Sequence, residues 1–339
     1  MKKIIIYILL LIVIGASALP AMNKEQTDVW IAIQGEKNLQ TRLDKLEEYY
    51  KTYGDKDERN AIYMYMDLVN TAYQLQQFDK TIQYGEKALL YKEMDPQNKL
   101  LIYLFLANAY NLTKKDIDKA YNYADLVIEL AKSLHIENQS NANIDANFIA
   151  PALRIQVQLL LSKPQNVKNT TDAFNKALDA YKLDNSDKSC NFVLYLSERM
   201  VKLNQVEGAI KGVEIINEAK PNADYANRLA FWYERLGNRP KAIENLKSSY
   251  QMKKSSKVAY DLGVLLNKTD IDSAMDYLAE SNLLNDEKYS PKAMELLQHL
   301  FFNVKSKGQL PADQEKGFQE ILLAAKTRLG ITPPLLDTK

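Results

Sequence analysis

Cysteine is the rarest of the reactive side chains in this 339-residue sequence, since Cys190 stands alone and excludes any intramolecular disulfide framework. The two histidines, His135 and His299, are far apart, without the spacing of metal ligands. Glycine (11) and proline (10) are also scarce, which disfavours turn-rich sandwiches and barrels. The abundant Leu, Ala, Lys, Glu and Gln instead favour long helices.

The sequence also lacks an excess of charge of either sign. Lys and Arg total 44 against 43 Asp and Glu, and neither sign forms a long run. Nucleic-acid-binding proteins usually carry a basic excess or stripe. We therefore expect no nucleic-acid partner.

Long apolar runs are absent except at the amino terminus. Two lysines precede an apolar stretch, Ile4 to Ile14, and Ala16-Ser17-Ala18 follow, which is the order of a secretory signal. The stretch is shorter than the roughly 20 residues of a transmembrane helix. We expect a signal peptide over 1–21, cleaved after Ala18 or Ala21, and export to a bacterial periplasm or cell surface without a remaining membrane span. The alternative is an uncleaved anchor in the inner membrane.

The positive feature of the sequence is an internal repeat. Three leucines recur at intervals of 33, and each precedes a small residue; the pairs are Leu196-Ser197, Leu229-Ala230 and Leu262-Gly263. Alanines recur farther on, each followed after four residues by an aliphatic side chain; these alanines are Ala209, Ala242 and Ala274. Spacing of this kind predicts paired helices that touch through small side chains.

One window, Arg228 to Leu246, shows how such a pair is built. Leu229, Tyr233 and Leu236 share one helical face. Gly237 suits the left-handed position that ends a helix, and Pro240 suits the first turn of the next. These residues resemble the tetratricopeptide repeat, and the resemblance implies an all-α, right-handed superhelical solenoid of helix-turn-helix repeats.

Degenerate copies of the repeat extend the resemblance to about residues 25–330. We expect repeats over 24–133, an Asn-rich loop over 134–147 that is a candidate joint between two halves, further repeats and capping helices over 148–330, and a tail over 331–339. No β-strand pattern is visible. The resemblance is strongest over residues 188–282.

No motif for catalysis accompanies the repeat. The sequence has no phosphate-binding glycine loop, HExxH, CxxC or Gly-x-Ser-x-Gly elbow. His299 is expected to be a core or boundary residue, His135 to stand at a helix end, and Cys190 to be a small buried residue just before a helix. The sequence therefore predicts no enzyme, no metal and no cofactor.

Binding is the better functional hypothesis, because the first helix of each repeat lines the concave face of such solenoids. The resemblance places partner-facing side chains two residues before and two, five and six residues after each repeat leucine, a set that we call the first-helix row. Its candidate members are Asn227, Phe231, Glu234, Arg235, Tyr260, Val264, Asn267, Lys268, Asn108 and Asn111. Phe231 is assigned to the row, whereas Trp232 and Tyr233 are assigned to packing.

The resulting hypothesis is a non-catalytic exported scaffold or adaptor of the cell envelope that holds a peptide or protein in its groove. One alternative is a helical subunit of an envelope enzyme or of an export or assembly complex, with the activity in a partner chain. A second alternative is a structural module that forms homo-oligomers. The identity of the protein partner does not follow from the residues.

Overall fold

The computed structural model describes residues 24–54, 58–137 and 144–331, and they are helical throughout apart from turns and short links. No strand occurs within these ranges. The expected signal peptide and most of the tail lie outside them. Among the described residues, no helix combines the length and apolarity that crossing a membrane requires.

The chain divides into two compact units, one up to Leu203 and one from Asn204 onward. The helices of the first unit are α1 Lys24–Gln34, α2 Leu39–Tyr53, α3 Glu58–Gln74, α4 Phe78–Ala88, α5 Pro96–Thr113, α6 Ile117–Glu137, α7 Ala150–Ser162, α8 Val167–Leu183 and α9 Asp187–Lys202. A π-helical turn, Asp145–Ile149, leads directly into α7. Successive helices pack as hairpins. The first helices of neighbouring hairpins are also in contact: α3 packs against α5, and α5 packs against α7.

The second unit continues the same pattern. Its helices are α10 Val206–Ala219, α11 Ala223–Arg235, α12 Arg239–Met252, α13 Ser256–Leu266, α14 Ile271–Leu283, α15 Ser290–Leu300 and α16 Pro311–Leu329, with a π-helical turn at Phe301–Lys305 after α15. The hairpins α11–α12 and α13–α14 are the most closely packed, and α16 lies against α14. Both units are therefore stretches of an all-α helical solenoid.

Local sequence signals account for the helix ends. Asn38, Asp95, Asn166 and Asn238 each accept a backbone N–H from the first turn through the side chain, which satisfies a donor that has no partner inside the helix. Gly237 adopts a φ of 74° after α11. There the amides of Gly237 and Asn238 bond back to the carbonyls of Glu234 and Tyr233, as predicted for this turn.

The predicted repeat register is confirmed by burial. The leucines and alanines that define the repeat are all buried: Leu196, Leu229, Leu262, Ala209, Ala242 and Ala274. Gly263 shows why a small residue follows the leucine, because a Cβ built there would lie 2.5 Å from Leu278 Cγ. The two helices of each hairpin can approach this closely only where one of them has almost no side chain.

The segment predicted as a loop and a candidate joint, 134–147, differs from the expectation. Helix α6 continues to Glu137, and helical residues resume at Ile144, so at most 138–143 link them, and those residues lie outside the described ranges. Helices α6 and α7 pack against each other across this link. Because those contacts join the two sides, the boundary between compact units falls instead at Leu203 and Asn204.

Candidate functional site

The first-helix row of the second unit begins on α11. Phe231 is 63% exposed, Glu234 and Arg235 are exposed, and Asn227 is half-buried. Arg235 donates to Asn204 Oδ1 at 3.2 Å. A ring exposed to this extent contributes little to packing within the unit.

The neighbouring aromatic residues of α11 have the opposite environment. Trp232 is 5% exposed and Tyr233 is 6% exposed, so both belong to the interior. The three adjacent rings point in different directions because successive residues are about 100° apart around a helix. The aromatic triplet therefore consists of two packing residues and one surface residue.

Tyr233 also anchors a polar seam between hairpins. Its hydroxyl donates to the Glu214 carboxylate of α10, and Lys241 Nζ of α12 donates to the same hydroxyl at 3.0 Å. Burial and the hydrogen bond to Glu214 raise the pKa of Tyr233, which keeps the phenol protonated as a donor. This residue joins three helices and is not part of the exposed row.

The same three residue types recur in the first unit. Tyr110 donates to Glu86 at 2.6 Å, and Lys119 Nζ lies 2.7 Å from the same carboxylate. Burial alone would raise the pKa of Glu86, but hydrogen bonds from Lys119 and Tyr110 outweigh it and hold that pKa below its ordinary value. Tyr110 lies four residues after Leu106, as Tyr233 lies four residues after Leu229. The Tyr–Glu–Lys triad therefore recurs at the same position of the repeat.

On α13 the row continues with half-buried side chains. Tyr260, Val264 and Asn267 are partly covered, and Lys268 is exposed beyond the end of the helix. The Tyr260 ring lies 5.9 Å from the ring of Tyr289, which precedes α15. Tyr260 thus connects the row to the next hairpin.

The structure extends the row to a third helix that the sequence interpretation left out. Leu297 of α15 is fully buried and corresponds to the repeat leucine. The row offsets applied to it select Glu295, His299, Phe302 and Asn303. The sequence signal was present, but Leu297 follows Leu262 by 35 residues instead of 33, because the turn before α15 is longer.

His299 was expected in the core or at its boundary, and that expectation is wrong. The ring is exposed, and its Nδ1 lies 3.3 Å from Asn303 Nδ2. The apolar neighbours that suggested burial are divided between faces, since Leu297 and Leu300 turn inward while His299 turns outward.

These residues surround an open groove of about 910 Å³. Its lining comprises Tyr260 from α13 together with Lys292, Glu295, Leu296, Gln298, His299, Phe302 and Asn303. All four positions that the row offsets select from Leu297 line it, two on α15 and two in the π-helical turn. Of the eight candidate positions on α11 and α13, Tyr260 alone is part of the lining. Lys292 and Glu295 make no side-chain hydrogen bond or ion pair with any other described residue. The groove therefore offers an aromatic and aliphatic wall with uncommitted groups of both charges.

Two row candidates of the first unit have a different environment. Asn111 is only 2% exposed; its amide donates to Gln158 Oε1 at 2.6 Å and accepts from Lys114 Nζ at 2.9 Å. Asn108 is half-buried and donates to the Tyr73 hydroxyl. Because α3, α5 and α7 pack closely, these amides bind neighbouring helices, and Asn111 is removed from the candidate surface.

The groups considered for catalysis are scattered. Cys190 is buried in the first turn of α9, inside the helix and not before it. His135 lies in the last turn of α6, and its side chain is outside the described residues. In the described part of the chain, no three His, Cys, Asp or Glu side chains are grouped so that they could hold a metal ion.

Comparison with known proteins gives a likeness of fold. No family model and no curated protein matches the chain. Among solved structures, a tetratricopeptide repeat protein from Parabacteroides merdae aligns at a TM-score of 0.40 and 11% identity, over 83% of this chain and 100% of that one. The chain is similar in fold to tetratricopeptide-repeat structures.

Two further structures give the same likeness at lower TM-scores. The TPR2AB domain of yeast Sti1, in a complex with pHSP90, aligns at a TM-score of 0.35 and 12% identity, over 89% of this chain and 96% of that one. A thermophilic TPR protein of Thermus thermophilus aligns at a TM-score of 0.25 and 16% identity, over 79% of this chain and 100% of that one.

Proposed function

We propose that this chain is a non-catalytic interaction scaffold that holds a peptide or protein segment along the first-helix row of its second unit. The observation that carries the proposal is the groove between Tyr260 and α15, which follows the row positions. Tyr260 and the four positions selected by the same offsets from Leu297 line this concave surface of about 910 Å³, which supports the proposal. Concave surfaces of this kind are what repeat proteins use for binding.

The side chains of the groove suit a polypeptide partner. Tyr260, Leu296 and Phe302 offer apolar contact area, and Gln298 and Asn303 offer amide donors and acceptors for a peptide backbone. Aromatic anchors surrounded by polar groups are typical of protein interfaces. On α11, the exposed ring of Phe231 adds a second apolar contact along the same row.

Alanine substitution separates binding from folding. Phe231→Ala removes an exposed ring, so thermal stability should stay nearly unchanged while partner affinity falls about tenfold, as for an interface anchor. Tyr260→Ala should lower stability modestly, because the ring also packs on Tyr289. The partner is first identified by cross-linking in the native envelope, and its affinity for each purified variant is then measured.

Leu323→Ala provides the matched control for these variants. Leu323 is an exposed aliphatic residue of α16 in the same unit and outside the groove. Leu323→Ala should leave the affinity for the partner unchanged. If Phe231→Ala and Tyr260→Ala both unfold the protein, the two rings are core residues and the proposed surface is wrong.

We propose in addition that the chain acts outside the cytoplasmic membrane. The support is the order of its first 21 residues: two lysines, a short apolar run and small residues at the cleavage position. N-terminal sequencing of the protein from a native-like bacterial host should begin after Ala18 or Ala21. A start at Met1 in a cytosolic fraction would refute export, and a start at Met1 in the membrane fraction would indicate the uncleaved anchor.

A further inference from the structure

His299 lies in the groove among side chains from three segments. Its own helix supplies Lys292 and Glu295, α13 supplies Tyr260, and the π-helical turn supplies Asn303. Lys257 pairs with Asp261 and Lys305 pairs with Asp272, and Lys288 Nζ lies 5.3 Å from the centroid of the Tyr289 ring. Histidine is the residue type that ordinarily changes charge between about pH 5 and pH 8. His299 is therefore the groove residue whose type responds to pH in that range.

The contact between His299 and Asn303 depends on that charge. The Asn303 amide nitrogen faces His299 Nδ1 at 3.3 Å, and Nδ1 accepts from it in the neutral tautomer that carries its proton on Nε2. In this arrangement Asn303 Oδ1 is left to accept from another donor. An imidazolium ring carries a proton on both nitrogens and cannot accept. Protonation therefore breaks the contact unless the amide turns over and presents Oδ1 to the ring.

We propose that protonation of His299 reverses the Asn303 amide and so changes what the groove presents to an occupant. In the neutral state the groove presents the Asn303 carbonyl oxygen as an acceptor. In the protonated state it presents the amide N–H groups as donors beside a new positive charge. A carboxylate-bearing segment is then bound more tightly in mildly acidic solution. The binding part of this inference rests on the proposed function of the groove, whereas the amide reversal does not.

Glu295 is the competing acceptor, since it lies one turn before His299 on the same helix. Glutamate and a protonated histidine at this spacing attract each other on a helix surface. If the ring moved to Glu295 instead, the Asn303 amide would be released and not reversed. Glu295→Gln removes the competing charge and should preserve the pH response of Asn303.

The amide reversal is tested by NMR on the purified full chain, with isotope labels in histidine and in asparagine side chains. Only two histidines are present, so His299→Gln assigns both ring signals. Between about pH 5 and pH 8, the Asn303 amide signal should shift with the same midpoint as the His299 ring. The shift should disappear in His299→Gln and persist in Glu295→Gln. An Asn303 signal that stays constant while the ring titrates, or a response lost in Glu295→Gln, would overturn the reversal.

The binding consequence is measured with two fluorescent probe peptides, Asp-Phe-Asp-Leu-Asp and Lys-Phe-Lys-Leu-Lys. Fluorescence anisotropy should show up to about fivefold tighter binding of the acidic peptide at the acidic end of the range, as expected for one added charge in contact with solvent. His299→Gln should abolish this gain, and Lys316→Gln on α16 should retain it. Acidic-peptide binding that is independent of pH overturns the regulatory inference.

The two proposals fail in different ways. If neither peptide binds at any pH and Phe231→Ala has no effect on the cross-linked partner, the proposed function is wrong, and the NMR titration still decides the amide reversal. If the partner depends on Phe231 but the Asn303 signal is constant, the proposed function stands and the reversal is wrong.

Discussion

At the scale of single residues, Gly263 marks a close approach between α13 and α14. A Cβ on this residue would lie 2.5 Å from Cγ and 2.6 Å from Cδ2 of Leu278, which is fully buried on α14. Gly263→Ala gains up to about 1 kcal/mol of helix propensity. Overpacking in a filled core costs about 1–3 kcal/mol. We expect a net loss in the free energy of unfolding, measured by urea denaturation.

A double-mutant cycle isolates the contact between these residues. Leu278→Ala alone should cost about 2–5 kcal/mol through the cavity it leaves. In that background Gly263→Ala should become neutral or stabilising, because the added methyl group then fills part of the cavity. Additive effects of the two substitutions would show that the helices do not meet at Gly263.

The role of a residue was predictable from the sequence where its type suits only one environment, either buried, exposed or in a turn. Leu229, Ala242 and Gly237 follow from spacing and from the conformational demands of a turn. The environment of Asn111 was not predictable, because an amide is equally suited to an exposed surface and to a hydrogen-bonded interior. Only the packing of α5 against α7 decided between them.

At the scale of helices, the cation Arg328 joins α16 to α14. Arg328 of α16 donates through Nε to Glu280 of α14 at 2.5 Å and pairs with Asp276 at 2.9 Å. Glu280 is 5% exposed and also accepts from the Tyr250 hydroxyl at 2.5 Å. Arg328 therefore neutralises a buried carboxylate and joins α16 to α14.

Removal of this cation should loosen α16. Arg328→Met leaves the Glu280 charge buried with only a phenol as partner, and we expect a loss of about 1–3 kcal/mol. This is below the value for fully buried pairs, because the Arg328 side chain is 38% exposed and solvent screens it.

Partial recovery in the double variant Glu280→Gln with Arg328→Met would support this explanation. Lys316→Met on the exposed face of α16 is the control and should be nearly neutral. An equal loss in both methionine variants, measured by thermal denaturation, would refute a specific role for Arg328.

The turns between helices show a limit of sequence interpretation at the same scale. The turn after the first helix of a hairpin repeatedly contains a residue of positive φ; these residues are Gln76, Lys114 and Gly237. Only the glycine could be recognised, because glycine alone adopts this conformation without strain. In the other hairpins tertiary packing imposes the turn on residues that do not signal it.

At the scale of the whole molecule, the two compact units can be observed separately. The chain has two tryptophans, Trp30 in the first unit and Trp232 in the second, and both are buried. In repeat proteins each repeat contacts mainly its neighbours. The Gly263 and Arg328 variants should therefore shift the fluorescence transition of Trp232 more than that of Trp30, with Trp30→Phe and Trp232→Phe backgrounds assigning each signal.

The sequence by itself determined the helical hairpins and their register in the strongest windows, because a helix seam needs large and small side chains at regular intervals whatever surrounds it. It also placed Phe231 on the surface and Tyr233 in a seam, since adjacent residues on a helix cannot share a face.

Only the tertiary structure decided the unit boundary at Leu203 and Asn204, the burial of Asn111 and the groove at Tyr260 and His299. The physical reason is that these features depend on contacts between helices that are distant in sequence. A two-residue change of spacing before α15 was enough to hide the third member of the row from the repeat pattern.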